Sequence, residues 1–221
     1  EVPPTDLLPG HRPRITPYVY SEKEIAALMA AARQLRPALR AARHETLIGL
    51  LAVTGARPGE ALGLDRDDVD LDNGVVHVRA GKNNKQRQVP LHPSTISALR
   101  AYAGLRDAHF PTPSTPAFFL SARGRRMGRE ELNATFIRLV RQIGLEGCGA
   151  RARPRPHDLR HAFAVHTLLD WYRAGEDIDR RMPLLSTYLG HVDPASTYWY
   201  LEAVPELLEL VGQRLEQLPG V

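Results

Sequence analysis

Only one stretch of the chain carries clear strand character, and that limits the folds open to it. Val75, Val76 and Val78 form one strand, Gln86 to Pro90 its return, and Gly81-Lys82-Asn83-Asn84-Lys85 the turn between them. Elsewhere apolar residues recur at helical spacing. Ser21 is placed to cap a helix, with Glu24 at the capping-box position and Ile25, Leu28 and Met29 along one face. A second helix over about 38–53 carries Leu39, Leu47, Leu50 and Leu51 and ends at Gly55, which suits a C-cap. Pro58 starts a short helix over 58–63. Further helices are expected over about 94–104, 129–143, 157–169, 179–189 and 205–217, and Phe118-Phe119-Leu120 reads as a third short strand. With 221 residues, 43% hydrophobic and 24% charged, the chain is long and apolar enough for a substantial core. The expected fold is mainly α with a small antiparallel β-sheet, in the α+β class.

Residues 1–20 hold prolines at 3, 4, 9, 13 and 17 and little periodicity, so they read as a linker. Residues 21–204 read as the compact domain. Residues 205–221 read as an amphipathic helical tail carrying Leu207, Leu208, Leu210, Val211 and Leu215. No run approaches the roughly 18 apolar residues of a membrane span, and the first residues lack a basic-then-apolar signal pattern, so no membrane partner is expected. The single cysteine, Cys148, excludes an internal disulfide framework and fits a reducing, cytoplasmic setting. A net charge of +4 leans towards a polyanionic partner. Lys23, Lys82 and Lys85 are the only lysines among 29 basic residues. Arginines cluster at 123, 125, 126 and 129 and again at 151, 153 and 155, a pattern suited to phosphate-backbone contacts.

Within Pro156-His157-Asp158-Leu159-Arg160-His161, His157 and Arg160 fall three residues apart on one helical face. Arginine offers a permanently charged fork of donors that matches phosphate oxygens, and histidine exchanges protons near neutral pH. Chemistry on a phosphate is the implied use. Arg57 stands at the start of the helix over 58–63, with Glu60 three residues on, either orienting that arginine or capping the helix. Expelling an alkoxide requires a proton donor. Lysine serves when nearby cations lower its pKa, whereas arginine does not release its proton, so Lys82 in the turn is the candidate. His191 follows a helix end at Leu189-Gly190, and Tyr198 and Tyr200 are candidate oxygen nucleophiles.

The ordered set resembles the tyrosine recombinase (phage integrase) family over residues 55–205. The matching positions are Arg57 in TGARPGEALGL, Lys82 in GKNNKQRQVPL, His157 and Arg160 in HDLRH, His191 in LGH, and Tyr200 nine residues later. The resemblance implies that Tyr200, rather than Tyr198, attacks a DNA phosphodiester to form a 3′-phosphotyrosine. It further implies that Arg57 and Arg160 clamp the phosphate, that Lys82 protonates the leaving 5′-oxygen, that His157 assists at the tyrosine and that His191 hydrogen-bonds the phosphate. It implies double-stranded DNA as partner, self-association as a tetramer on DNA in the full-length protein, and no cofactor. Residues 1–20 then become the connection to an N-terminal DNA-binding domain, and the chain the catalytic domain alone. Residues 170–181 look longer than in compact relatives and are expected in a surface loop.

Three rival readings remain. His157 and His161 stand at zinc-motif spacing, with Asp158 in place of the usual glutamate and Arg160 adding a cation to the same face. A type IB topoisomerase-like enzyme shares the tyrosine chemistry. A DNA-binding domain with a decayed active site is the non-enzymatic alternative, against which stand all six intact positions.

Overall fold

In the computed structural model, residues 17–79, 86–145, 153–190 and 197 are described. The elements run α1 (Glu22–Arg33), α2 (Ala38–Thr54), α3 (Pro58–Gly63), β1 (Val69–Asp70), β2 (Val75–Val78), β3 (Arg87–Pro90), α4 (Pro93–His109), α5 (Arg129–Gln142), α6 (Asp158–Arg173) and α7 (Ile178–Leu189). The mainly helical architecture with one small antiparallel sheet is as expected. None of the described helices is long and apolar enough to cross a membrane.

Local chemistry sets the helix ends. The Glu24 N–H donates to Ser21 Oγ at 3.3 Å and the Ser21 N–H to Glu24 Oε2 at 2.7 Å, completing the predicted capping box. Gly55 adopts φ +59°, and its N–H closes α2 onto the Leu51 carbonyl at 3.0 Å. Helix α2 is the centre of the packing, lying against α1, α4 and α6. Its Leu47, Ile48 and Leu51 join Leu28, Leu99, Tyr102, Phe118, Phe119, Phe136 and Leu159 in the main core. A second cluster, including Val165, Leu168, Met182, Leu185 and Leu189, seals α6 against α7.

The sheet order is β1-β2-β3, antiparallel throughout, with Val69 opposite Val76 and Val76 opposite Val89. Val76, Val78 and Val89 point inward while Gln88 faces out, the alternation that a half-buried strand requires. The third strand is Val69–Asp70, not 118–120. Two residues are too short for a period to be read. Phe118 and Phe119 are instead wholly buried around the Tyr102 ring, and Leu120 forms a single bridge with Arg126. Residues 170–181, expected in a surface loop, mostly extend α6 and begin α7 around Gly175. Tyr18 and Tyr20, within the stretch read as linker, are buried, and the Tyr20 ring meets Phe136 edge-on. The turn over 81–85 and the tail over 205–221 lie outside the described residues.

A β-carbon at Gly55 would stand 2.6 Å from Phe163 Cδ1 and 3.0 Å from Leu189 Cδ2, on top of the left-handed backbone. Gly55→Ala is therefore expected to lower stability by about 2–4 kcal/mol in urea denaturation. A loss below about 0.5 kcal/mol would contradict this packing.

Candidate active site

Arg160 projects from the first turn of α6. That turn is fixed by Asp158, whose Oδ2 accepts the Arg155 N–H at 2.8 Å. The Arg160 side chain is buried, donating from Nη1 to the Gly55 carbonyl at 2.8 Å and from Nη2 to the Leu189 carbonyl at 2.7 Å. These oxygens belong to the C-terminal ends of α2 and α7, where unpaired carbonyls and the helix dipole favour a cation. Both helices stop at a left-handed glycine, Gly55 and Gly190.

Arg57 caps α3. Glu60 Oε2 accepts the Arg57 backbone N–H at 2.8 Å, and Oε1 accepts Arg57 Nη1 at 2.8 Å. Glu60 thus fills both roles open to it, capping the helix and orienting the guanidinium. Arg57 Nη2 donates to the Gly190 carbonyl at 3.1 Å. The same carboxylate receives Arg87 from β3, at 3.1 Å from Nη1 and 2.7 Å from Nη2. Burial alone would raise the Glu60 carboxyl. The paired hydrogen bonds from Arg87, the Arg57 N–H and the surrounding positive charge outweigh burial and hold it at about 2.

His157 stands at the head of α6, facing a cleft of about 890 Å³ that Arg57, Glu60, Arg129, Asn133, Arg155 and Gly190 also line. Burial disfavours its cation, and Arg160, Arg155, Arg57 and Arg129 repel it, so its pKa falls to about 4. The imidazole is therefore neutral at pH 7. Its ring meets that of His161 edge-on, centroids 5.0 Å apart. Among the described residues no three His, Cys, Asp or Glu side chains are grouped to hold a metal ion.

The predicted residues thus fall into two sets. Arg57, Glu60 and His157 share one cleft, while Arg160 is buried outside its lining, bonded to the Gly55 and Leu189 carbonyls. Arg160 and Arg57 grip the consecutive carbonyls of Leu189 and Gly190, immediately before His191. Lys82, His191 and Tyr200 lie outside the described residues. Sequence reasoning missed Arg87 and did not assign Arg129 to this cleft. For Arg87 a signal existed: period-two spacing puts it on the inward face with Val89, where a cation needs a carboxylate.

Residues 19–206 match the family model described as the phage integrase family. The chain is 44% identical over 223 residues to the integrase/recombinase y4rB of Sinorhizobium fredii (strain NBRC 101917 / NGR234), covering 98% of this chain and 71% of that protein. It is 37% identical over 163 residues to the tyrosine recombinase XerD of Mycobacterium leprae (strain TN), covering 72% of this chain but 47% of XerD. The chain thus spans about half the length of that relative. Among solved structures, a crystal structure of XerA recombinase superposes with a TM-score of 0.73 at 28% identity, over 97% of this chain and 69% of that one.

The two perturbed acids have defined consequences for stability. His157, with a folded pKa near 4 against an ordinary 6.5, resists the proton that the unfolded chain accepts, so it lowers stability as pH falls from 6.5 to 4. Glu60, depressed from 4.5 to about 2, stabilises above pH 4.5 and loses that contribution as pH falls towards 2. NMR titration is expected to show the His157 ring protonating near pH 4; a midpoint near 6.5 would overturn the cleft electrostatics.

Proposed function

The chain belongs to the phage integrase family of tyrosine recombinases, enzymes that cleave and rejoin DNA, and we propose that Arg57 and Arg160 clamp a DNA phosphate for attack by Tyr200. The observation that carries this reading is the pair of arginines anchored on adjacent carbonyls of one helix end. Two guanidiniums held this way face a phosphate without having to reorganise as charge develops on its oxygens. The neutral His157 lines the same cleft, and a bound phosphate, by offsetting the arginine charge that depresses its pKa, would make the ring a better proton acceptor.

In the proposed reaction Tyr200 Oη attacks phosphorus, forming the 3′-phosphotyrosyl bond while the bond to the 5′-oxygen breaks. The tyrosine proton passes towards His157, and Lys82 protonates the departing 5′-oxygen. Arg57, Arg160 and His191 stabilise the pentacovalent transition state. The 5′-hydroxyl of a partner strand then attacks the link and restores the phosphodiester, releasing Tyr200. The bond energy is kept in the covalent intermediate, so neither a nucleotide nor a metal enters the scheme. We further assign the full-length protein a tetramer on two double-stranded DNA sites, acting in the cytoplasm on mobile or chromosomal DNA. Residues 21–204 would serve as its catalytic domain.

Covalent trapping tests this. Nicked duplexes that lose a short fragment on cleavage, drawn from flanking genomic DNA, are incubated with the protein and denatured. A protein–DNA adduct is expected in the wild type and in Tyr198→Phe and is expected to vanish in Tyr200→Phe. Arg160→Lys is expected to slow its formation by about 10²–10³-fold. An adduct that persists in Tyr200→Phe would remove the proposed nucleophile.

A further inference from the structure

We infer that Arg87 is a positioning residue for strand cleavage: through the Glu60 carboxylate, it holds the Arg57 guanidinium in place and leaves Arg57 its positive charge. The inference rests on the reading of Arg57 as a phosphate clamp. Arg87 and Glu60 meet as two parallel forks, 3.1 Å and 2.7 Å, with side chains only 15% and 6% exposed. A carboxylate accepts about four hydrogen bonds. The Arg57 N–H, Arg57 Nη1 and the two Arg87 amino groups fill that capacity, so Glu60 has no competing orientation.

Charge acts in the same direction. An isolated Arg57–Glu60 pair would be neutral overall and would hold a phosphate weakly. With Arg87 included, two cations share one anion, and the unit keeps a net positive charge. That excess is presented by Arg57, whose side chain is 39% exposed, rather than by Arg87 beneath it. Arg87 Nε is buried and unpaired among the described residues, so this side chain is held by its Glu60 fork.

The unit also joins three elements. Arg87 opens β3, five residues after Lys82 in sequence; Arg57 precedes α3; and Gly190 closes α7 before His191. The guanidiniums converge under Gly190, where an added β-carbon would stand 3.0 Å from Arg87 Nη1 and 3.7 Å from Arg57 Nη1. A displaced Arg87 therefore disturbs the alignment of all three.

The test compares single-turnover adduct formation at saturating nicked DNA with DNA affinity. Arg87→Gln is expected to lower the rate by about 10–100-fold while affinity changes less than about threefold, and Arg87→Lys to recover part of the loss. If Arg87 acts through Arg57, the double variant Arg57→Gln/Arg87→Gln is no slower than Arg57→Gln alone. A wild-type rate in Arg87→Gln, or losses that multiply in the double variant, would overturn the inference. Guanidinium NMR provides a readout independent of cleavage. Rotation about the Arg57 Cζ–Nε bond is expected to be slow in the wild type and faster in Arg87→Gln; unchanged rotation would also overturn it. A wild type that forms no adduct counts against the proposed strand cleavage by this chain, whereas the rotation measurement still decides the role of Arg87.

Discussion

The buried Arg160 guanidinium is the constraint on which the site depends. It closes the ends of α2 and α7 at once, taking the Gly55 and Leu189 carbonyls that a helix terminus leaves unpaired. In a low-dielectric setting those oxygens supply the partial negative charge that a cation needs, so the guanidinium is tolerated without a carboxylate at these two contacts. The cost of bringing Arg160 out of water is offset by interactions that also fix the corner ahead of His191. Stability and placement of the charge therefore come from the same hydrogen bonds.

Glu60 solves the neighbouring problem. Arg57 and Arg87 repel one another, and the single buried carboxylate between them lowers that repulsion without cancelling it. Nearby, burial and then the charges of Arg160, Arg155, Arg57 and Arg129 keep His157 neutral. A neutral imidazole adds no further positive charge to the cleft, and an anion bound among these arginines would raise its affinity for a proton. One electrostatic arrangement thus sets both the charge of the cleft and the protonation state of His157.

Features written in adjacent residues were legible in the sequence. The Ser21–Glu24 capping box, the Gly55 stop, the Arg57–Glu60 spacing and the His157–Arg160 face all depend on separations of a few residues. Features that depend on distant partners were not. Arg43 is buried against the Leu120 carbonyl and Glu131, far along the chain, and nothing local marks it as an interior cation. Strand β1 is too short to show a period, and the Phe118-Phe119-Leu120 run answers to the Tyr102 ring rather than to a strand partner. Arg160 was legible as a cation in the first turn of α6, but its grip on two helix ends was not, because Gly55 and Leu189 are remote in sequence. Arg87 lay between these cases, with its inward face readable and its carboxylate partner not.

In the proposed reaction the Arg57 and Arg160 forks hold one phosphorus centre. A crystal structure of the protein with a nicked duplex and orthovanadate, which adopts the trigonal-bipyramidal geometry of a phosphate in transit, addresses it directly. Vanadate is expected with equatorial oxygens within hydrogen-bond reach of both guanidiniums and with Tyr200 Oη at one apex. Vanadate and the nick seated on the Arg129 and Arg153 rim, with Arg57 and Arg160 turned away, would contradict it.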